Sequence, residues 1–419
     1  MMYHSLNYIY YNICRYNICR YCNIGVSMKK VLILGGGFAG VDAAGYLCKA
    51  GYNVTLVSDR DYFYIYPTSI WVPTHESKFE DVCVDLKALQ AAHGFNLVVD
   101  GVSEIAAKEN RVTLRSGKVL DDYDYLVVAI GAQKMKHPGI ENTLSICAVP
   151  EQSLQIRDAL DKLVEKGSGK IAFGFGGNPK DSSAVRGGPG FELMFNVHNM
   201  LKKKGIRDNY EISFFAPMAE PGARMGKQAL SMMDTMFKKQ NIHKYLGKKI
   251  KQFEEDGVRF EDDSKLESDF TMFIPAGAGH EVVTASDLPT NEAGFVTVND
   301  YCEVTIDNAI SNVYAIGDTA ALEGPDWRAK QGHVAEVMAK NVAFNIQKRD
   351  KGSDERKGYQ EHLNILCVMD TGDGAGFVFR NDKKAFMLPM PIIGHMMKKG
   401  WGWYCRNTKL GKIPRLPGM

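Results

Sequence analysis

Nowhere in the 419 residues is there a run of about 20 apolar residues, so the chain offers no candidate membrane-spanning helix. There is no HExxH and no paired Cys or His spacing of a zinc site, although nine cysteines and ten histidines are present. No structural metal is expected. The lone CxxC, Cys19 and Cys22, has no second pair to complete a site. Residues 1–27 lack the apolar core and small-residue cleavage site of a secretory signal. They also lack any helical or strand period, and YNICR stands in tandem at 11–15 and 16–20. The expectation is that 1–27 is a non-native extension and that translation begins at Met28. That start leaves no room for a signal and keeps the protein on the cytoplasmic side. Acids are missing from 383–419, where eight Lys or Arg occur. The formal net charge of +2 thus hides a basic tail on a mildly acidic body, a pattern that suggests contact with an anionic surface.

Residues 29–40 read KKVLILGGGFAG. The apolar run 31–34 is the right length for a buried parallel strand. Gly35, Gly37 and Gly40 follow in GxGxxG spacing, and residues 41–51 have helical spacing. This is the strand–turn–helix of a dinucleotide site. Gly35 permits the tight turn, Gly37 lets backbone approach a pyrophosphate, and Gly40 lets helix and strand pack closely. The first helical residues, Phe38 and Ala39, offer N–H groups and a partial positive charge to phosphates. A second strand at 54–57 ends in Ser58-Asp59. The acid lies about 20 residues beyond the glycines, where a ribose ligand belongs. Asp59 is the expected ligand and Ser58 the alternative.

Two further strands end in small-residue turns. Residues 123–131 form a buried strand running into Ala129 and Gly131. Residues 312–318 form another ending in Gly317-Asp318, whose carboxylate can accept from ribityl hydroxyls. A small β meander is expected around 111–114. GxGxxG alone fits NAD, but with the distal strand–Gly–Asp it points to FAD. Between these halves lies a second α/β unit, with strands at 170–173 and 211–215. Its Gly174-Phe175-Gly176-Gly177 begins correctly, but NPKDSSAVRGGPG separates it from a helix expected near Phe191. Its second strand ends Phe215-Ala216-Pro217, without a carboxylate for a ribose. This unit is expected to hold a substrate channel or catalytic loop instead of NADH. The fold class is therefore α/β, with two Rossmann-like domains and a C-terminal membrane-binding tail. A discontinuous FAD domain occupies 28–145 and 290–345. The second domain is inserted at 146–289, and a quinone- and membrane-interacting region occupies 346–419.

From Met28 onward the chain resembles the sulfide:quinone oxidoreductases and flavocytochrome c sulfide dehydrogenases, relatives of single-subunit NADH:quinone dehydrogenases. The marks are Asp61-Tyr62-Phe63, then Tyr66-Pro67-Thr68-Ser69-Ile70-Trp71-Val72. Ser145-Ile146-Cys147, Phe273-Ile274-Pro275-Ala276 and Lys330-Gln331-Gly332-His333 complete them. The resemblance implies two-electron transfer from sulfide through FAD to quinone, with Pro67 and Lys330 at the cofactor. It also implies three cysteines. Cys147 and Cys367 match two of them, but the central one is absent from Ser182-Ser183-Ala184-Val185-Arg186-Gly187. Cys48, Cys83 and Cys302 are expected to be core residues. Lys330 precedes a helix and is expected at its N-terminus, facing the flavin O2 edge. Glu192 is expected one residue into its helix, serving either the helix dipole or proton transfer. His198 and His333 are candidate proton carriers.

In the tail, apolar and aromatic residues alternate with Lys398, Lys399, Arg406, Lys409, Lys412 and Arg415. A short amphipathic helix is expected over 391–404, lying on a lipid surface with its cations toward an anionic leaflet. This places the protein peripherally on the cytoplasmic face of the inner membrane. Phe377, Phe379 and Phe386 are candidates for stacking on quinone. Nucleic acid is not an expected partner, and homo-oligomerisation is left open. The competing readings are an NADH:quinone dehydrogenase and a flavin-binding scaffold without sulfide activity.

Overall fold

The structure, a computed structural model, describes residues 28–416. The expected extension at 1–27 lies outside the described residues. The strand Lys30–Leu34 is apolar after Lys30 and sits inside a six-stranded sheet. A parallel strand covered on both faces requires such an unbroken run. Asn53–Ser58 and Tyr125–Val128 flank it in parallel, with Leu34 opposite both Val57 and Val128. Asn96–Val99 extends one side, and Ala309–Ala315 extends the other. Glu303–Ile306 closes that edge antiparallel. The sheet thus gathers strands from both ends of the chain. The helices Phe38–Lys49 and Gly332–Asp350 pack on one another beside it. Residues Arg111–Leu114 form the middle strand of a small antiparallel sheet, as the meander reading expects.

The second sheet has four parallel strands in the order Ile242–Leu246, Tyr210–Ala216, Gly169–Phe175, Phe270–Ile274. Aromatic rings fill its core. Phe191 stacks on Phe214 at 4.8 Å between centroids, and Phe175 meets Phe191 edge-on at 5.4 Å. Burying side chains of this size contributes about 1.5–3 kcal/mol each. The helix after its loop runs Gly188–Lys203, beginning before the expected start near Phe191. Pro189 sits in its first turn, where a missing N–H costs nothing and a fixed φ suits the helix.

The C-terminal region holds a three-stranded antiparallel sheet, Ile365–Asp370, Gly374–Arg380 and Ala385–Pro391. The helix that follows, Ile393–Lys409, is longer than the expected 391–404. Gly402 does not break it. A Cβ there would lie 2.7 Å from the Thr68 methyl, so the glycine permits close packing on the Tyr66–Ser69 turn. The helix is also turned the other way round from expectation. Lys398 and Lys409, three turns apart, are buried with Gly394 and Cys405. Ile393, Met396, Met397 and Trp403 are exposed. Lys398 pairs with Glu192, Lys399 with Glu76, and Arg415 with Asp42. Lys409 lies 2.6 Å from both Asp42 and Glu336, and Arg406 donates to the Cys83 carbonyl at 2.8 Å. Four of the tail's cations, Lys398, Lys399, Lys409 and Arg415, therefore answer the protein's own acids, while Lys383, Lys384 and Lys412 are exposed. Among the described residues no helix is long and apolar enough to cross a membrane.

Candidate active site

Three turns converge at one end of the first sheet. Gly35 has φ +113°, and its N–H donates to Val57 O at 2.8 Å. A Cβ on Gly35 would lie 2.2 Å from Ala129 O, and one on Gly40 1.8 Å from Gly35 O. Gly317 has φ +65°, and its Cβ would meet Ala39 at 3.0 Å. Gly37 differs, because a Cβ there would meet nothing within 4 Å. The helix Phe38–Lys49 has no side-chain cap at Gly37 and no acid in its first turn, so its first N–H groups remain available. Open space at Gly37, free N–H donors and close packing at Gly35 and Gly40 fit a bound pyrophosphate.

The neighbouring residues fill in the cradle. The Ser58 hydroxyl donates to Arg60 O at 2.7 Å, so it serves its own turn. Asp59 is exposed at the strand end, 3.9 Å from Arg60, and its carboxylate is the freer of the two side chains. Ala129 donates to Leu34 O at 2.7 Å. Pro67 opens the turn Tyr66–Ser69 and is partly buried. Phe38 packs edge-on to Phe63 at 4.8 Å. One residue was missed. Thr319 accepts from Gly131 N–H at 2.8 Å and joins the Gly131 turn to the Gly317-Asp318 turn. Its sequence signal was a hydroxyl directly after Gly-Asp. Asp318 pairs with Arg186, so its expected role toward ribityl hydroxyls has a competitor that the sequence reading did not foresee.

Lys330 precedes the helix Gly332–Asp350, as expected. Its ammonium is buried, donates to Ala320 O and lies 3.9 Å from the centroid of Phe295. Burial holds its pKa down to about 7, with Arg186 and Arg328 acting the same way against Asp181. Cys147 is buried and Cys367 partly buried against one apolar cluster with Trp71 and Phe175, and both are free thiols. Burial pushes Cys367 up to about 12, assisted by Glu192 and opposed by Lys398. Lys134, not anticipated, is held down to about 8 by burial and by Arg186, while Cys147 acts in the opposite sense.

Glu192 requires correction. It is the fifth residue of its helix, beyond the reach of the dipole's first turn. It is buried, pairs with Lys398 and accepts from Asp370 N–H at 2.8 Å, and burial raises its pKa. Asp370, fully buried, accepts from Asn196 at 2.9 Å and lies 2.7 Å from His395. His395 then reaches Glu76 at 3.0 Å, and these two acids raise it to about 9. The tail helix thus closes a charged network beside Cys367. The sequence hid it because Lys398 and His395 sit among apolar residues that read as a lipid-facing stretch.

The proton-carrier expectation finds no support at His198. Its Nδ1 accepts from Arg207 at 2.8 Å, and burial with Arg207 and Lys202 holds it down to about 4. His333 is likewise held to about 4 by burial, and its Nε2 has no partner. Both are neutral imidazoles at physiological pH. Cys302 is fully buried, as a core role requires, whereas Cys48 and Cys83 are half-buried at the edges of core clusters and raised to about 11 and 12 by burial. Phe377, Phe379 and Phe386 lie on the sheet face opposite Cys367, as the register of Cys367 with Val378 requires. Among the described residues no group of His, Cys, Asp and Glu is placed to hold a metal ion.

The family described as pyridine nucleotide-disulphide oxidoreductase matches residues 29–339. A sulfide-quinone reductase of Aquifex aeolicus is 29% identical over 375 residues, covering 84% of this chain and 83% of that protein. The crystal structure of the sulfide:quinone oxidoreductase from Aquifex aeolicus superposes with a TM-score of 0.81 at 26% identity, over 92% of this chain and 93% of that one. A type II NADH:quinone oxidoreductase of Staphylococcus aureus is 24% identical over 86% of this chain and 93% of its own length. With the glycine cradle and this match together, the chain belongs to the pyridine nucleotide-disulphide oxidoreductase family and is an FAD-dependent oxidoreductase.

Proposed function

We propose that this enzyme passes two electrons from sulfide, or a related sulfur donor, through FAD to a quinone at a membrane surface. The observation that carries the reading is the placement of two free thiols, Cys147 and Cys367, against one apolar cluster in a chain built like a sulfide:quinone oxidoreductase. FAD, held by the Gly35–Gly40 cradle with Asp59 at its ribose, supplies the two-electron acceptor. Lys330 changes protonation near neutral pH and can hold or give up a proton there. Cys367 is a thiol at neutral pH, so its proton must leave before its sulfur can act as a nucleophile. Glu192, the buried carboxylate that acts on it, is the neighbouring group for that proton. Arg186 stands in the loop where the resemblance implies a third cysteine, so Cys147 and Cys367 act as the pair.

Membrane contact in this reading comes from apolar surface. Leu366, Leu388, Ile392, Ile393, Met396 and Trp403 are all exposed, and Ile392 and Trp403 reach 71% and 63%. Phe377, Phe379 and Phe386 belong to the same side of the sheet, where a lipid-soluble quinone would approach. That contact supports a peripheral position, and the proposed site is the cytoplasmic face of the inner membrane. The second reading, NADH:quinone oxidoreduction, is favoured by the Staphylococcus relative and by the absence of a cysteine from the 182–187 loop. Pro217, where a ribose carboxylate belongs, counts against it.

Mixing the FAD-loaded enzyme and decylubiquinone with either sulfide or NADH separates the readings. Sulfide is expected to bleach the flavin, and decylubiquinone to restore it. Bleaching by NADH alone would transfer the function to the second reading. Bleaching by neither would leave a flavoprotein without its own donor among these two.

A further inference from the structure

The charged network under the tail helix ends at a polar pocket of about 250 Å³, lined by Thr74, Glu76, Asn196, Asn199 and Lys203. Asn196 and Asn199 are buried, and Lys203 stands exposed at the rim. Asn196 Nδ2 donates to the Glu192 carbonyl and to Asp370, at 2.8 and 2.9 Å. Its Oδ1 is buried without a hydrogen-bond partner. A polar cavity of this size, with an acceptor unpaired, has both room and partners for water.

His395 stands between this pocket and the buried acids. Its Nε2 lies 3.0 Å from Glu76, and its Nδ1 lies 2.7 Å from Asp370 Oδ2. Three N–H donors crowd the other oxygen of Asp370: Trp71 at 3.3 Å, and Asn196 and Gly372 at 2.9 Å. Oδ2 is therefore left to His395. Asp370 also reaches inward, since its backbone N–H donates to Glu192 at 2.8 Å. Glu192 pairs in turn with Lys398 and acts on the thiol of Cys367. Asp370 and Glu76 raise His395 to about 9, so both its nitrogens carry protons at neutral pH. Burial works against the charge of Glu76, but His395 and Lys399 hold its carboxyl below the ordinary value. Trp71 meets the imidazole edge-on at 5.4 Å between centroids and adds no charge there. A brace for the tail helix needs only one carboxylate on this imidazole. Here two acids sit on opposite nitrogens, one beside a polar pocket and the other joined to a buried acid, which is the arrangement of a path.

We propose that His395 is a proton relay between the buried acids and solvent, with Glu76 as its outlet to the pocket. The inference deepens the reaction proposed above and rests on its assignment of Glu192 as the group that takes the Cys367 proton. That proton passes from Cys367 Sγ to a Glu192 carboxylate oxygen, and from there to Asp370 Oδ2. His395 releases its Nε2 proton to Glu76 and takes the incoming one at Nδ1. Glu76 then gives its proton to water in the pocket. Each step breaks one bond to hydrogen and forms another, and no electrons move. Oxidising hydrosulfide to zero-valent sulfur releases one proton with two electrons, and reducing a quinone takes up two of each. Protons must therefore cross between the site and solvent in every turnover, and the path serves both directions.

Two arms test this on FAD-loaded enzyme, each followed by flavin absorbance and a pH-indicator dye. In one, sulfide reduces the flavin. In the other, decylubiquinone reoxidises enzyme that an equivalent of dithionite has reduced, so this arm decides even where sulfide is not the donor. An unaltered enzyme that sulfide does not bleach would sink the sulfide reading alone. Proton exchange in the unaltered enzyme is expected to fall as pH rises through about 9, where His395 loses its second proton. His395→Ala is expected to slow exchange at least tenfold with FAD content unchanged. Added imidazole is expected to restore it, with the pH dependence moved to the lower range where free imidazole titrates. Glu76→Ala, at a partly exposed position, decides if His395→Ala fails to fold, and its loss of exchange is expected to recover with formate. A structural brace would show neither recovery. Unchanged exchange in the folded variants, loss without recovery, or reoxidation without proton uptake overturns the proposal.

Discussion

The two Rossmann-like domains use the same glycine spelling for different ends. In the first, Gly37 faces open space and the helix Phe38–Lys49 begins at once, with its N–H groups uncapped. In the second, Gly174 is in register with Phe215 of the neighbouring strand, and the ring occupies the space beside it. The helix there begins only at Gly188, after an inserted loop. Beside the first turn, the neighbouring strand ends in Val57 and Ser58, and a Cβ on Gly36 would lie 2.5 Å from the Ser58 hydroxyl, so only Gly37 faces open space. What separates the two is position, since Gly37 lies beyond its strand at the helix cap and Gly174 lies inside the strand Gly169–Phe175. The glycines themselves do not distinguish them.

The largest expected effect tests the first turn. A Cβ on Gly40 would lie 1.8 Å from Gly35 O, a backbone atom that cannot step aside. Gly40→Val is therefore expected to cost more than about 3 kcal/mol and to yield no FAD-loaded protein. Flavin absorbance per protein and circular dichroism check this. A holoenzyme with normal flavin content would mean that the helix does not need its close approach to the strand.

The next effect comes from what braces the first helix. Asp42, on Phe38–Lys49, is buried and pairs with Lys409 at 2.6 Å and with Arg415. Removing one partner of a buried pair strands the other charge. Lys409→Met is expected to lower unfolding stability by about 3 kcal/mol. Lys412→Met, an exposed position in the same tail, should change it by less than about 0.5 kcal/mol. Denaturant unfolding of both variants measures the difference. Equal midpoints would return Lys409 to the role of a surface cation.

Much of this architecture was readable in the sequence because its signals are local. The strand at 31–34, the spacing of Gly35, Gly37 and Gly40, and the Gly317-Asp318 strand end each depend on a few adjacent residues. The antiparallel sheet at 365–391 was not read, because its pairing joins segments whose apolar pattern is broken by Gly and Pro. The ion pairs of Lys398 and Lys409 were misread for a physical reason. Cations at helical spacing among apolar residues describe equally a helix on a lipid surface and a helix whose cations find buried acids far away in sequence. Glu192 and Asp42 lie more than 200 residues upstream of these lysines. The Arg186–Asp318 pair was hidden in the same way, since only the fold brings the loop to the cofactor turn.

The smallest effect is the one that divides the two turns most cleanly. Gly37→Ala adds a Cβ where nothing lies within 4 Å, so the folded protein without cofactor should keep its stability. A methyl between backbone and pyrophosphate should nevertheless weaken FAD binding about tenfold, or about 1.4 kcal/mol. Gly174→Ala adds a Cβ 2.6 Å from Phe215, in a core that already holds stacked rings. Overpacking there should cost about 1–3 kcal/mol of stability while FAD affinity stays unchanged. Flavin fluorescence titration and thermal unfolding of both variants together give the four numbers. Opposite patterns in the two variants would fix the first turn as the cofactor seat and the second as packing. If Gly174→Ala lost FAD affinity and Gly37→Ala did not, the assignment of the cofactor to the first domain would be wrong.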